Sequence, residues 1–193
     1  MPGLLVMICR AAIFFLIVVA ASSAVDPRAK AVSDKIDLIE SGKARRGSVI
    51  AFTAAELNAW ARVKAPEEVP EGLREPRIEL GNNVATGYAR IDLLKVRHGA
   101  GVETNWLVAK MIQGEKPVKV VARIQSWNGR ARVHLQRVEI GGLAVSGTTL
   151  DFLISTFLMP LYPNAKIDQW FDLSKSLDHI EIVPAEARAY VKK

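Results

Sequence analysis

The residues able to do acid–base, nucleophilic or metal chemistry are few here and poorly spaced for it. The three histidines, His98, His134 and His179, lie far apart, and none stands in a His-x-x-Glu-His, His-x-His or Cys/His arrangement. No local metal cage is therefore signalled. Ser155 and Ser174 lack the Gly-x-Ser-x-Gly elbow of a nucleophilic serine, and Val145-Ser146-Gly147 has only a superficial likeness to it. The glycine-rich pieces match neither GxGxxG nor GxxxxGK[ST], so no phosphate cradle is expected. Two carboxylate pairs stand out. Glu67-Glu68 falls in a proline-rich stretch, and Asp168 and Asp172 sit at i, i+4, where a helix would place like charges side by side. Both read as solvated faces. The expectation is a non-enzyme with no cofactor and no metal.

The side chains that remain conspicuous are suited to contact. Four tryptophans, Trp60, Trp106, Trp127 and Trp170, are many for the length, and tryptophan suits either a core or the border between an apolar and a wet phase. Trp127 precedes Asn128-Gly129, the strongest short signal for a type I′ hairpin. A two-residue turn there pairs Trp127 with Arg130, Ser126 with Ala131, Ile124 with Val133 and Ala122 with Leu135. The alternate face pairs Gln125 with Arg132, Arg123 with His134 and Val121 with Gln136. One face is then apolar and buried, the other polar and basic. Arg123, Trp127, Arg130 and Arg132 become candidates for contact with lipid headgroups or a protein partner, although a Trp–Arg stack also accounts for them. Arg137 and Glu139 interrupt the apolar face, so a bulge or an exit from the sheet is expected near the open end.

The most apolar segment after the leader is Thr148–Leu161, with no charge between Asp151 and Lys166. Its length is below what a bilayer span needs. Leu150, Leu153, Ile154, Phe157, Leu158 and Leu161 form one helical stripe. A stripe of about 100° already covers a sheet. Phe152 and Met159 lie off it and need a second apolar partner. That partner is either Val32, Ile36 and Ile39 of the first helix or an acyl chain. The candidate ligand-binding set is Leu150, Phe152, Leu153, Ile154, Phe157, Leu158 and Met159.

The elements that must position these groups are legible in outline. Val32, Ile36 and Ile39 give a helix over Pro27–Ser41, followed by the basic connector Lys43-Ala44-Arg45-Arg46-Gly47. A strand over Ser48–Phe52 runs into Thr53-Ala54-Ala55-Glu56, a capping box, with a helix to about Ala65. Pro66–Pro76 reads as a polar loop. Strands are expected over Arg77–Leu80 and Val84–Leu93 around Gly81-Asn82-Asn83, over Pro117–Ile140 as the hairpin, over Leu177–Val183 and over Ala187–Val191. Asn105–Gly114 is undecided between helix and strand. Hairpins dominate and no βαβ alternation occurs, so the fold class is α+β, a curved antiparallel sheet wrapped over one or two helices.

Met1–Ala24 carries no acidic residue, has Arg10 before the apolar run Ala11–Ala21, and ends in Ser22-Ser23-Ala24. That order is the grammar of an export signal, with cleavage expected after Ala24 and a retained anchor as the alternative. Cys9, the only cysteine, precedes the apolar run, so it is not placed as a lipoprotein cysteine, and residues 25–193 hold no disulfide. Those 169 residues divide into a helix and connector over 25–47 and a domain over 48–193, with 25 basic against 20 acidic residues. The excess suits anionic lipid or polyanionic wall material. Nucleic acid is not expected of an exported chain whose basic residues are scattered.

Phe52-Thr53-Ala54-Ala55-Glu56-Leu57-Asn58 resembles the strand-then-helix opening of small signal-anchored bacterial envelope proteins of the YpmS and LmeA type. The later Val138-Glu139-Ile140-Gly141-Gly142 followed by an apolar helix resembles them too. That resemblance implies a curved sheet around a helix, similar to tubular lipid-binding domains, that holds or moves a lipid without chemistry on it. The Pro66–Pro76 loop and the basic hairpin have no counterpart in that pattern. The function expected is a non-catalytic periplasmic or extracellular protein that binds a lipid acyl chain beside the helix 148–161. The alternative is an envelope interaction module using the basic face of the 117–140 hairpin.

Overall fold

The computed structural model describes residues 26–68, 72–95, 113–155, 159 and 166–193, the side chains of 65–68 and 153 excepted. Asp26 caps the first helix, α1 (Pro27–Glu40), by accepting from the Arg28 N–H, and Pro27 occupies the first turn, where its missing N–H costs nothing. Strand β1 (Val49–Thr53) leads directly into α2 (Ala54–Glu68). The capping box forms as read: Glu56 N–H donates to Thr53 Oγ1 at 3.2 Å, and Thr53 N–H donates to Glu56 Oε2 at 2.8 Å. Lys35 ties α1 to this junction, donating to Glu56 Oε1 at 2.6 Å and to the Ala51 carbonyl at 2.7 Å. Burial works to raise the Glu56 pKa, but the hydrogen bonds from Lys35 and Thr53 outweigh it and hold the carboxyl below its usual value.

Strands β2 (Leu73–Gly81), β3 (Val84–Asp92), β4 (Glu115–Trp127), β5 (Arg130–Ile140) and β6 (Leu143–Val145) form a sheet in sequence order. Helix α3 (Gly147–Leu153) follows. The short β7 (Phe171–Asp172) adds to β5, and β8 (Leu177–Val183) and β9 (Glu186–Val191) complete a second sheet in the order β1-β9-β8. Every pairing between these strands is antiparallel, and the class is α+β. The strands divide into two sheets rather than one. Strand β8 runs across the turns of both large hairpins, where Asn83 N–H donates to Ile182 O at 2.8 Å and Gly129 N–H to Asp178 O at 2.5 Å.

The register of the central hairpin follows the alternation of side chains. Trp127 pairs with Arg130, Ile124 with Val133 and Ala122 with Leu135. Asn128 and Gly129 take φ of 47° and 73°, as a type I′ turn requires. One pairing differs from expectation. Val121 faces Arg137, because a bulge between Val121 and Ala122 leaves Gln136 unpaired. The extra residue returns Val138 to the buried face.

The proline-rich loop is shorter than its composition suggests. Helix α2 continues past Ala65 to Glu68, and β2 begins at Leu73. Glu75 and Pro76 fall inside β2 at a bulge between Arg74 and Arg77, with Glu75 at φ 52°. Strand β2 is a sheet edge, so the N–H that proline lacks costs no ladder bond there. The expected helix over 148–161 begins at Gly147 and is described to Leu153. Residues 156–158 and 160–165, residues 105–112 of the undecided segment, and the leader before Asp26 lie outside the described residues.

Candidate functional site

Two helices and two sheets converge on a common apolar interior. Val32, Phe52, Trp60, Leu177 and Ala189 belong to one buried cluster that draws on α1, α2 and both sheets. Trp60, 2% exposed, uses its indole N–H to reach Ser33 Oγ at 3.1 Å, so its polar edge is satisfied inside the core. Asn58 stitches α2 to β2. Its Nδ2 donates to Ala54 O at 2.6 Å and Ile78 O at 2.8 Å, while Oδ1 accepts from the Ile78 N–H at 2.8 Å. A side-chain amide thus stands in for a neighbouring strand at the edge of the large sheet.

Within this interior lies a cavity of about 90 Å³. The large sheet contributes Ile78, Ala85, Ile124, Ala131 and Val133 to its wall. The small sheet contributes Phe52, Ile180, Ile182, Ala187 and Ala189, and the helices close it with Val32, Ile36, Ile39 and Leu57. Glu40, the last residue of α1, and Arg188 of β9 are the charged residues at this wall. The origin of the space is steric. Facing layers of side chains fill a gap of about 10 Å between packed sheets. Here alanines stand at inward positions on both layers, so their side chains fall short of meeting.

The sequence-derived ligand set lies elsewhere. None of Leu150, Phe152, Ile154 and Met159 lines the cavity, and Phe152 is 47% exposed. Leu150, Ile154 and Met159 are half-buried, and the side chains of Leu153, Phe157 and Leu158 lie outside the description. The cavity instead uses Val32, Ile36 and Ile39, the residues that entered the sequence reading as the plain packing partner. Helical spacing marks them as a buried stripe. The alanines that leave the room carry no sequence signal of their own.

The basic face is placed as the register implies. Arg123, Trp127 and Arg130 are exposed and Arg132 half-exposed on the side of the hairpin opposite Ala131 and Val133. Arg130 meets Asp172 at 3.5 Å and Arg132 meets Asp168 at 3.8 Å; His134 Nδ1 also contacts Asp168. Arg123 has no ion-pair partner among the described residues. Trp127 is 71% exposed and stacks on no described cation. Asp168 and Asp172, whose i, i+4 spacing would set like charges side by side on a helix, are not on one. Asp172 is in β7, and Asp168 follows Ile167, which bridges Val133.

Among the described residues no three His, Cys, Asp or Glu side chains are grouped to hold a metal ion. No helix among them is long and apolar enough to cross a membrane. Comparison with known proteins gives no match: no family model fits the chain, and neither a curated protein nor a solved structure resembles it significantly.

Proposed function

We propose that this chain is an exported, non-catalytic carrier of an apolar ligand, and that the ligand is a lipid acyl chain held between the two sheets. The observation that carries the reading is the apolar cavity. Its wall is made almost wholly of aliphatic and aromatic side chains from every layer of the fold, with Glu40 and Arg188 as its charged members. A cavity of this kind stays dry and takes an apolar guest. At about 90 Å³ it is smaller than the ~150 Å³ engineered site that accepts benzene, so it holds only a short length of chain as it stands, and a whole acyl chain requires the two sheets to part. The export-type leader and the outline resemblance to envelope lipid-binding proteins support the same reading.

The test is extraction of the purified chain with organic solvent, followed by mass spectrometry, beside the variant Ala131→Leu. Ala131 is 1% exposed and faces the cavity, so the larger side chain fills it. The wild type is expected to release a fatty acid or phospholipid, and the folded variant to release little or none. A wild type that releases nothing, beside a variant that only melts higher, makes the space an ordinary packing void and ends the proposal.

A further inference from the structure

Four basic segments that are distant in sequence meet at one end of the molecule. Gly47, closing the connector that holds Lys43, Arg45 and Arg46, donates its N–H to Lys192 O at 3.0 Å. A Cβ at Gly129, the hairpin tip, would stand 3.3 Å from Lys192 Nζ. The Lys192 N–H in turn reaches Ser176 O at 2.8 Å, beside Lys175, and Leu173 N–H reaches Gly129 O at 2.8 Å. Lys43, Arg45, Arg46, Lys175, Lys192 and Lys193 are all exposed. None has an ion-pair partner among the described residues. Of the acids nearby, Asp172 meets Arg130 and Asp178 meets His179 at 2.7 Å, while Asp37 in the last turn of α1 is exposed, so the cations outnumber the acids here. Trp127, two residues before Gly129 and paired with Arg130, is 71% exposed on the outer face of the hairpin and stacked on no described side chain, and Trp170, just before β7, is exposed too.

We propose that this end docks on an anionic lipid bilayer, with the cations at the headgroups and Trp127 inserted at their level. Charge selects an anionic surface, since each Lys or Arg near such a surface adds to its attraction. The bare tryptophan selects a bilayer over a soluble polyanion. An amphipathic ring gains from the boundary between headgroups and acyl chains and gains nothing comparable from a hydrated polymer. The inference goes beyond the cavity and does not depend on it.

The experiment is quenching of tryptophan emission by brominated phosphatidylcholine vesicles made with or without phosphatidylglycerol. Wild type is compared with Trp127→Phe and with the combined Lys43→Gln, Arg45→Gln, Arg46→Gln, Lys192→Gln chain. The difference between wild type and Trp127→Phe reports the tip itself, however the rest of the chain is held. Quenching of that component is expected only on anionic vesicles, with its loss in the combined variant and in high salt. Equal quenching on neutral vesicles, or quenching retained by the combined variant, overturns the proposal. So does an unquenched Trp127 in a chain that binds soluble dextran sulfate, which assigns the end to polyanionic wall material.

Discussion

Helix α1 and the segment from Gly147 onward invert the weight their sequences carry. The later segment is the most apolar stretch after the leader, yet Phe152 within it is 47% exposed. Helix α1 mixes Asp, Lys and Ser among four large aliphatic residues, yet Val32 is fully buried and the helix walls the cavity. Apolar density measures how much surface wants burial. It does not say where burial leaves space. Space arises where small side chains from two layers face each other, as Ala85 and Ala131 do across from Ala187 and Ala189.

The comparison breaks most sharply on a pair of matched substitutions. Val32→Asp is expected to cost about 4 kcal/mol or more, because it leaves an unpaired charge in the core. Phe152→Asp is expected to change stability by no more than about 0.5 kcal/mol, as exposed substitutions do. Urea unfolding of both variants checks this, and a large loss at Phe152 would return the weight to the later segment. A smaller effect tests what holds the α2 end of the cavity. Asn58→Ala removes three hydrogen bonds and strands the Ile78 peptide groups, with an expected cost of about 2–3 kcal/mol. A loss below about 0.5 kcal/mol would show that packing alone fixes α2 to β2.

The mildest change sharpens how α1 is fastened. Glu56→Gln weakens both the cap and the contact with Lys35, for about 1 kcal/mol at neutral pH. The folded-state pKa of Glu56 is lowered, so its contribution is complete above the unfolded value and is lost as pH falls through the folded one. The gap between wild type and variant should therefore close in acid. A gap independent of pH would mean that the ion pair with Lys35 is not what stabilises α1.

Much of the fold was legible because its signals are local. The Thr53–Glu56 box and the Asn128-Gly129 turn each depend on a few neighbouring residues, and strict alternation then carried the register from the turn to Ala122–Leu135. Arg137 and Glu139 marked a bulge or an exit from the sheet, and the structure has the bulge, with a shift of Val121 to Arg137 that no local pattern indicated. Pro76 misled because at a sheet edge its missing N–H has no ladder partner to lose, which a sequence window does not show, whereas nothing in the structure explains why α2 runs on through Pro66.

The α+β class, the hairpin with its two faces and the helix start at Thr53 each follow from side-chain periodicity or a backbone constraint a few residues long. Three further features arise only once the chain has closed on itself: the strands split into two sheets, a cavity opens between them, and the segments holding Lys43, Arg45, Arg46, Lys175 and Lys192 meet at the hairpin tip. Each depends on contacts between segments tens of residues apart. The cavity in particular is a property of opposing layers, set by which alanines face each other once both sheets and both helices have closed.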